Sequence, residues 1–262
     1  MRFDTAFITG ASSGLGRAVA SRLAAAGTRV VIAARRRDEL EELAAAITAN
    51  GGRAEVCELD VADTGAARES VARSDRDSGG LDLVLANAGI GNPEPVAQTE
   101  WDAIERVVQV NTLGALALLH AALGPMLARG SGTLSAVSSL AGQRGLPTSA
   151  AYSASKAAVS IFLEALRIEL STSRLRVVDI RPGFVDTPMT RKNSFRMPFM
   201  LDVEDAARRV IRGLEHGEAV VSFPWQASAA MGFAAHMPAA LWRGVAAHLP
   251  VNGGSDGGRG PH

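Results

Sequence analysis

Seven short apolar runs, separated by longer amphipathic stretches, recur along almost the whole chain, and that rhythm leaves few folds open. The segments "FDTAFITG" (3–10), "RVVIAAR" (29–35), "RAEVCELD" (53–60), "LDLVLANAG" (81–89), "GTLSAVSS" (132–139), "LRVVDIRPG" (175–183) and "EAVVSF" (218–223) read as strands. Residues 14–26, a charged stretch to about Ala49, a polar stretch between the third and fourth strands, Thr99–Ala128, 150–170 and 202–215 read as helices. Alternation of this kind requires parallel pairing with right-handed crossovers. The strands are nearly continuous Val, Ile, Leu and Ala, as expected where helices cover both faces. The expected fold is α/β, a doubly wound parallel sheet of about seven strands in one domain over residues 1–251.

A chain of 262 residues can bury a substantial core. Its 27 acidic residues balance 27 Lys and Arg, so no field of one sign gathers nucleic acid or an anionic membrane from a distance. Cys57 is the single cysteine, which excludes an internal disulfide and a multi-cysteine metal cluster; no metal is expected. Lying in "RAEVCEL", it reads as a buried structural thiol. The N-terminus enters a strand within three residues and shows no signal-peptide layout, so the expected location is cytoplasmic. Residues 252–262, "NGGSDGGRGPH", have the composition of a disordered tail.

The first strand runs into "TGASSGLG", with Gly10, Gly14 and Gly16 at a strand-to-helix turn. Glycines there permit a tight turn and let a pyrophosphate approach backbone N–H groups at a helix N-terminus. The TGxxxGxG spacing resembles that of the short-chain dehydrogenase/reductases, and the resemblance continues in order over roughly residues 3–190. It implies a Rossmann-type fold and a nicotinamide dinucleotide. The loop residues Ser12, Ser13 and Leu15 would join the glycines at the cofactor. Asp60 and Val61 of "LDV" would meet the adenine, and Asn87, Ala88 and Gly89 of "NAG" would close strand four beneath the cofactor. Pro182, Gly183, Val185 and Thr187 of "RPGFVDTP" would close over the nicotinamide.

The only tyrosine, Tyr152, stands four residues before Lys156, one of two lysines, in "AYSASKAAV". On a helix this spacing puts both on one face. By resemblance they form the YxxxK pair, with Ser139 thirteen residues earlier and Asn111 in "VNTLG" completing the catalytic set. Tyr152 would exchange a proton with the substrate oxygen, Ser139 would hold that oxygen, and Lys156 would bind the nicotinamide ribose. Asn111 resembles the residue that connects a water chain to the lysine; a local helix bend is the plainer reading. An unperturbed phenol titrates near 10, and bringing it near 7 requires about 4 kcal/mol from neighbouring positive charge. Strand alternation points Ser138 and Ser139 to opposite faces, so only one can serve; the spacing favours Ser139.

NAD enzymes place a carboxylate at the end of strand two. Here that position is Ala34, followed by Arg35, Arg36 and Arg37. Without the acid, Arg35 can grip a 2′-phosphate through its planar fork, with Ser12 as a second contact. NADP(H) is therefore expected over NAD(H), and Arg36 or Arg37, but not all three arginines, is expected to be only a solvated helix start paired with Glu39, Glu41 and Glu42.

The expected substrate is a small, apolar carbonyl or alcohol bounded by Gly91–Pro95, Ser139, Gln143–Leu146, Tyr152, Gly183–Phe184 and a lid over 187–201. Lid side chains such as Met189, Phe195, Met197, Phe199 and Met200 could equally pack on the body. The stretch 223–250 carries no formal charge from Pro224 to Trp242. Packing on the body or another subunit is favoured there, with membrane association a lesser alternative. By resemblance the chain is a homodimer or homotetramer. Two other functions stay open: a non-catalytic NADP sensor, and an epimerase or dehydratase on the same fold.

Overall fold

Phe7 and Ile8 are neighbours on the first strand, face opposite sides of one sheet, and are both fully buried. That double burial runs through the architecture of the computed structural model, which describes residues 2–91, 93–193 and 197–249. Asn92 of the expected substrate wall, Phe195 of the lid, and the 252–262 tail lie outside the described residues.

The strands are β1 (Thr5–Thr9), β2 (Arg29–Ala34), β3 (Arg53–Glu58), β4 (Leu83–Ala86), β5 (Thr133–Val137), β6 (Arg176–Pro182) and β7 (Val220–Phe223). All pair in parallel, in the order β3-β2-β1-β4-β5-β6-β7. The order reverses between β1 and β4, the switch point beyond whose carboxyl ends ligands bind in such sheets. The chain has a Rossmann-type single-domain fold, as its strand–helix rhythm requires.

Helices α1 (Gly14–Ala25), α2 (Arg37–Ala49) and α7 (Val203–His216) cover one face, packing Leu23, Leu40 and Val210 against Ile8 and Ile32. Helices α3 (Thr64–Ser78), α5 (Ala115–Arg129) and α6 (Ala150–Glu169) cover the other, packing Val71, Leu118, Leu119 and Leu163 against Phe7 and Val84. Burying each such side chain contributes about 1.5–3 kcal/mol. Helix ends follow local chemistry. Asp63 caps α3 by accepting from Ala66 N, and Gly79 ends it at φ 76°; Asp202 caps α7, and Gly217 ends it at φ 67°.

The single helix expected over Thr99–Ala128 is built in three parts. Helix α4 (Trp101–Val108) passes through a π-helical segment, Gln109–Gly114, into α5. The wider turn carries Asn111, and Gly114 is required where a Cβ would sit 2.6 Å from the carbonyl oxygen of Val61. This rod is long and apolar enough to cross a bilayer, and half of its most apolar window is buried inside the fold.

After β7 the chain forms α8 (Trp225–His236) and α9 (Ala239–Ala246). The expected packing on the body holds for Phe223, Pro224, Ala234 and Ala246, which are buried. Trp225, Phe233, Leu241 and Val245 are exposed, while Met231, Met237 and Trp242 are half-buried.

Candidate active site

The carboxyl ends of β1 and β4 are tied together by polar groups. Thr9 Oγ1 accepts from the backbone N–H groups of Asn87 and Ala88, both at 3.1 Å. Asn87 Nδ2 donates to the carbonyl of Thr9 at 2.8 Å. Gly10 turns away at φ 67° and Gly14 at φ 57°, the left-handed region that side chains disfavour. Gly16 is there for space: a Cβ would lie 2.4 Å from Asn87 Nδ2 and 2.5 Å from the Gly10 carbonyl oxygen. No side chain caps the N-terminus of α1, so its first-turn N–H groups stay available to an anion.

A cleft of about 520 Å³ opens above these turns, within the range of about 300–1,000 Å³ usual for ligand sites. Its walls include Gly10, Ser12, Ser13, Gly14, Leu15, Arg35, Asp60, Val61, Asn87, Ala88, Gly89, Tyr152, Lys156, Pro182, Gly183, Val185 and Thr187. Gly16, Asn111, Ser139 and Gln143 are not among the residues that line it. Gly89 marks how closely the chain passes the lysine: a Cβ there would lie 3.2 Å from Lys156 Nζ and 3.4 Å from Asn111 Oδ1. Uncapped N–H groups, glycines without room for side chains and the cleft volume fit an extended dinucleotide with its pyrophosphate over α1.

Asn111 is spent on the chain itself. Its Oδ1 accepts from Ile90 N at 2.8 Å, and its Nδ2 donates to the Ile90 carbonyl at 2.9 Å and to Ser155 Oγ at 3.0 Å. Ser155 Oγ in turn donates to the carbonyl of Tyr152 at 2.7 Å. The helix bend and a place beside Lys156 are thus the same feature. Ser155, three residues after Tyr152 in "YSASK", went unassigned in the sequence because a helical serine has no distinctive spacing.

Ser138 and Ser139 diverge as alternation requires. Ser138 Oγ donates to Asp179 Oδ1 at 2.5 Å, inside the sheet. Ser139 Oγ accepts from Ala141 N at 3.1 Å and lies beside Tyr152. Burial pushes the Tyr152 phenol up, and its hydrogen bond with Ser139 offsets part of that rise. The expected lowering is therefore not a property of the protein alone. Lys156 is 3% exposed and donates from Nζ to the Val137 carbonyl at 2.7 Å. Its own pKa is lowered to about 8 by burial, against a pull upward from Asp179. Below that pH the ammonium keeps its charge, yet burial still dominates at the phenol and holds it in its neutral form.

At the far end of the cleft, Arg36 rather than Arg35 is the arginine fixed by hydrogen bonds. It donates to Ser12 Oγ at 2.8 Å and Ser13 Oγ at 2.9 Å, and pairs with Glu39 at 3.2 Å. Arg35 lines the cleft with it. Arg37 is the solvated helix start, bound to Glu41 at 2.7 Å and to Glu58 at 3.7 Å. The serines of "GASSG" held the signal for Arg36, but only the fold shows which arginine they face. Asp60 accepts from Ala62 N at 3.1 Å and from Arg106 at 2.5 Å. Burial works to raise its carboxyl, yet Arg106 and the Ala62 N–H hold it below the usual range.

The segment expected to form a lid is joined to the preceding loop where Leu201 N donates to the Phe184 carbonyl at 3.0 Å and Asp186 N to the Leu201 carbonyl at 2.9 Å. Met189, Phe199 and Met200 are 41, 55 and 41% exposed. They are not packed on the body, and Met189 lines the cleft.

The family profile described as short chain dehydrogenase matches residues 4–197. Over 249 residues the chain is 43% identical to an uncharacterized oxidoreductase of Myxococcus xanthus, covering 95% of this chain and 98% of that protein. A short-chain dehydrogenase from Sphingobium yanoikuyae, solved in complex with NADPH, matches with a TM-score of 0.78 and 26% identity over 90% of this chain and 97% of its own. An alcohol dehydrogenase from the archaeon Thermococcus sibiricus, complexed with 5-hydroxy-NADP, matches at 0.73 and 27%, over 84% and 94%.

Proposed function

The chain belongs to the short-chain dehydrogenase family, and from that membership we propose that it is an NADP(H)-dependent oxidoreductase acting on an apolar carbonyl/alcohol pair. The observation that carries the reading is the meeting of Tyr152, Ser139 and Lys156 at the carboxyl end of β5, beside a cleft that reaches Arg35 and Arg36. When bound, the nicotinamide supplies or takes up hydride.

Tyr152 holds the proton. Its raised pKa keeps it protonated at neutral pH, ready to donate to a carbonyl oxygen that gains negative charge. The Ser139 hydroxyl fixes the same oxygen. Lys156, tethered to Val137, has N–H donors left for ribose hydroxyls, and the amide of Asn111 keeps the Ile90 backbone in place beneath it.

NADP(H) over NAD(H) rests on the arginine pair and on Ala34, which offers no carboxylate to repel a 2′-phosphate. Met189, Phe199 and Met200 around the lid support an apolar substrate. A homo-oligomer is supported by apolar side chains left on the outer side of the α5 and α6 layer: Leu127, Ile161 and Ile168 are 44, 65 and 68% exposed. The test is oxidation of NADPH and NADH against a panel of ketones and aldehydes, followed at the cofactor's absorbance. Turnover with NADPH and an apolar carbonyl is expected. Tight NADPH binding without turnover on any panel member would favour a sensor instead.

A further inference from the structure

Among the described residues, one carboxylate and one ammonium are buried: Asp179 is 0% exposed and Lys156 is 3% exposed. The chemistry at Tyr152 uses the ammonium and leaves the carboxylate without a task. A charge inside a protein is costly unless it is paired, so the surroundings of Asp179 decide its role.

Strand alternation puts Asp179 on the same face of β6 as Val177, which packs in one cluster with Leu163 and Leu166 of α6. Lys156 heads that buried stripe of α6, with Val159, Leu163 and Leu166 following at helical spacing. The carboxylate and the ammonium therefore lie on facing sides of one strand–helix contact. They also hold adjacent residues of the same strand end. Lys156 Nζ donates to the Val137 carbonyl at 2.7 Å, and Ser138 Oγ donates to Asp179 Oδ1 at 2.5 Å. Ser139 comes next in the chain.

Three cations share the carboxylate: Arg181 on its own strand, and Lys156 and Arg167 on α6. Arg181 Nε donates to Asp179 Oδ2 at 2.7 Å. The Arg181 side chain is 22% exposed, against 1% for Asp179, so water screens the guanidinium more than the carboxylate. Arg167 commits its donors to the carbonyls of Val177 and Ala219, at 3.0 and 2.7 Å. Beside the ammonium stand the Tyr152 ring and the Asn111 amide, neither of them negative at neutral pH. Burial lowers the pKa of Lys156, and Asp179 is the charge that pulls it back up.

We propose that Asp179 is a positioning residue of the reaction: the buried counter-charge that keeps Lys156 an ammonium, held in place by Ser138 and contested by Arg181. Asp179 is absent from the cleft wall and acts only through the lysine. The consequence for cofactor binding rests on the proposed role of Lys156 at the ribose; the electrostatic relation between the two buried charges does not.

Three substitutions separate charge from geometry. Asp179→Asn removes the charge and keeps an oxygen for Ser138. Ser138→Ala removes the hydrogen bond and keeps the charge, and Arg181→Gln removes the competing cation. Urea unfolding of each cofactor-free protein is compared, from about pH 6 to about pH 11, with the same protein carrying Lys156→Met, so that the difference follows the titration of the lysine. In the wild type that difference begins to rise near the lysine's pKa of about 8. The onset should fall by about one pH unit or more with Asp179→Asn, rise with Arg181→Gln and stay in place with Ser138→Ala. NADPH affinity, read by fluorescence titration, should decline at correspondingly lower pH in Asp179→Asn. An onset that ignores Asp179→Asn overturns the proposal. Equal movement with Ser138→Ala also overturns it and makes the aspartate a tie between strands. If Asp179→Asn does not fold, Arg181→Gln decides, and an onset that fails to rise overturns the proposal. Onsets that move as expected while NADPH affinity ignores pH uphold the counter-charge and remove the lysine from the ribose, which is a failure of the proposed function alone.

Discussion

Lys156 Nζ is tethered to the carbonyl of Val137 at 2.7 Å, and stands 5.8 Å from the centroid of the Tyr152 ring. Its hold is thus on the end of β5, the strand that leads to Ser139. The ammonium lies over the ring face of the phenol, and in the proposed reaction it serves the strand end and the ribose together. Burial lowers the pKa of the lysine and raises that of the phenol, both away from the charged form.

Tyr152→Phe removes the proton donor and leaves the cleft walls in place. Turnover should fall by about 10²–10⁴-fold, the usual contribution of general acid–base catalysis, while NADPH affinity stays nearly unchanged. Steady-state rates and a cofactor fluorescence titration check this together. Activity above a few per cent of wild type would give the proton to another group.

The lysine makes stability depend on pH with a defined sign. Its pKa drops from the ordinary 10.5 to about 8 on folding. Between those values the unfolded chain holds the proton and the folded chain has released it, so stability rises with pH across that window. Below about pH 8 both states are protonated and the burial cost stands in full. Relative to Lys156→Met, the cofactor-free wild type should gain up to about 3 kcal/mol between pH 8 and 10.5. Urea unfolding of both proteins at several pH values measures it. A pH-independent difference would mean that the buried amine keeps its ordinary pKa.

Cofactor preference should rest on two arginines. Arg35→Ala should cost about 10- to 100-fold in NADPH affinity, the size of a charge-assisted contact, and leave NADH almost untouched. Arg36→Ala should do the same, because its fork is already oriented by Ser12 and Ser13. Adding Ala34→Asp should turn the preference toward NADH. The ratio of kcat/KM for the two cofactors reads all three; a ratio indifferent to both arginines makes them solvated side chains only.

Gly16→Ala would drive a methyl group against Asn87 and the Gly10 carbonyl. One contact is backbone, so relief requires moving the turn itself. A loss of about 1–3 kcal/mol is expected from overpacking, together with weaker cofactor binding as the glycine loop shifts. Denaturant midpoints and a cofactor titration test both effects, and an unaltered midpoint would show that the turn yields freely.

The sheet was legible because each strand and crossover announces itself by period. Ser138 and Ser139 were separable by the same alternation that puts Phe7 and Ile8 on opposite faces. What escaped depends on contacts between distant segments. Three consecutive arginines look alike in a sequence, and only the fold brings Arg36 to Ser12. Arg106 meets Asp60 across 46 positions. The phenol's acidity could not be read from a YxxxK spacing, because burial and a hydroxyl neighbour set it. Helices α8 and α9 depart from the expected concealment only in part: Trp225, Phe233, Leu241 and Val245 face outward, while Trp242 packs against Arg144 and Gly145.

The π-helical segment Gln109–Gly114 amounts to a change of phase within one rod. Each residue of an α-helix advances the side chains by about 100°, so an extra residue in one turn lets the two ends keep independent angular settings. Trp101–Val108 stands on one side of the offset, with Arg106 aimed at Asp60. Ala115–Arg129 stands on the other, with Leu118, Leu119 and Met126 facing the sheet. Asn111 occupies the offset itself. Deleting one residue between 109 and 114 would resynchronise the rod, forcing a choice between the Arg106–Asp60 pair and the core. The helix can serve both only because it is out of step with itself.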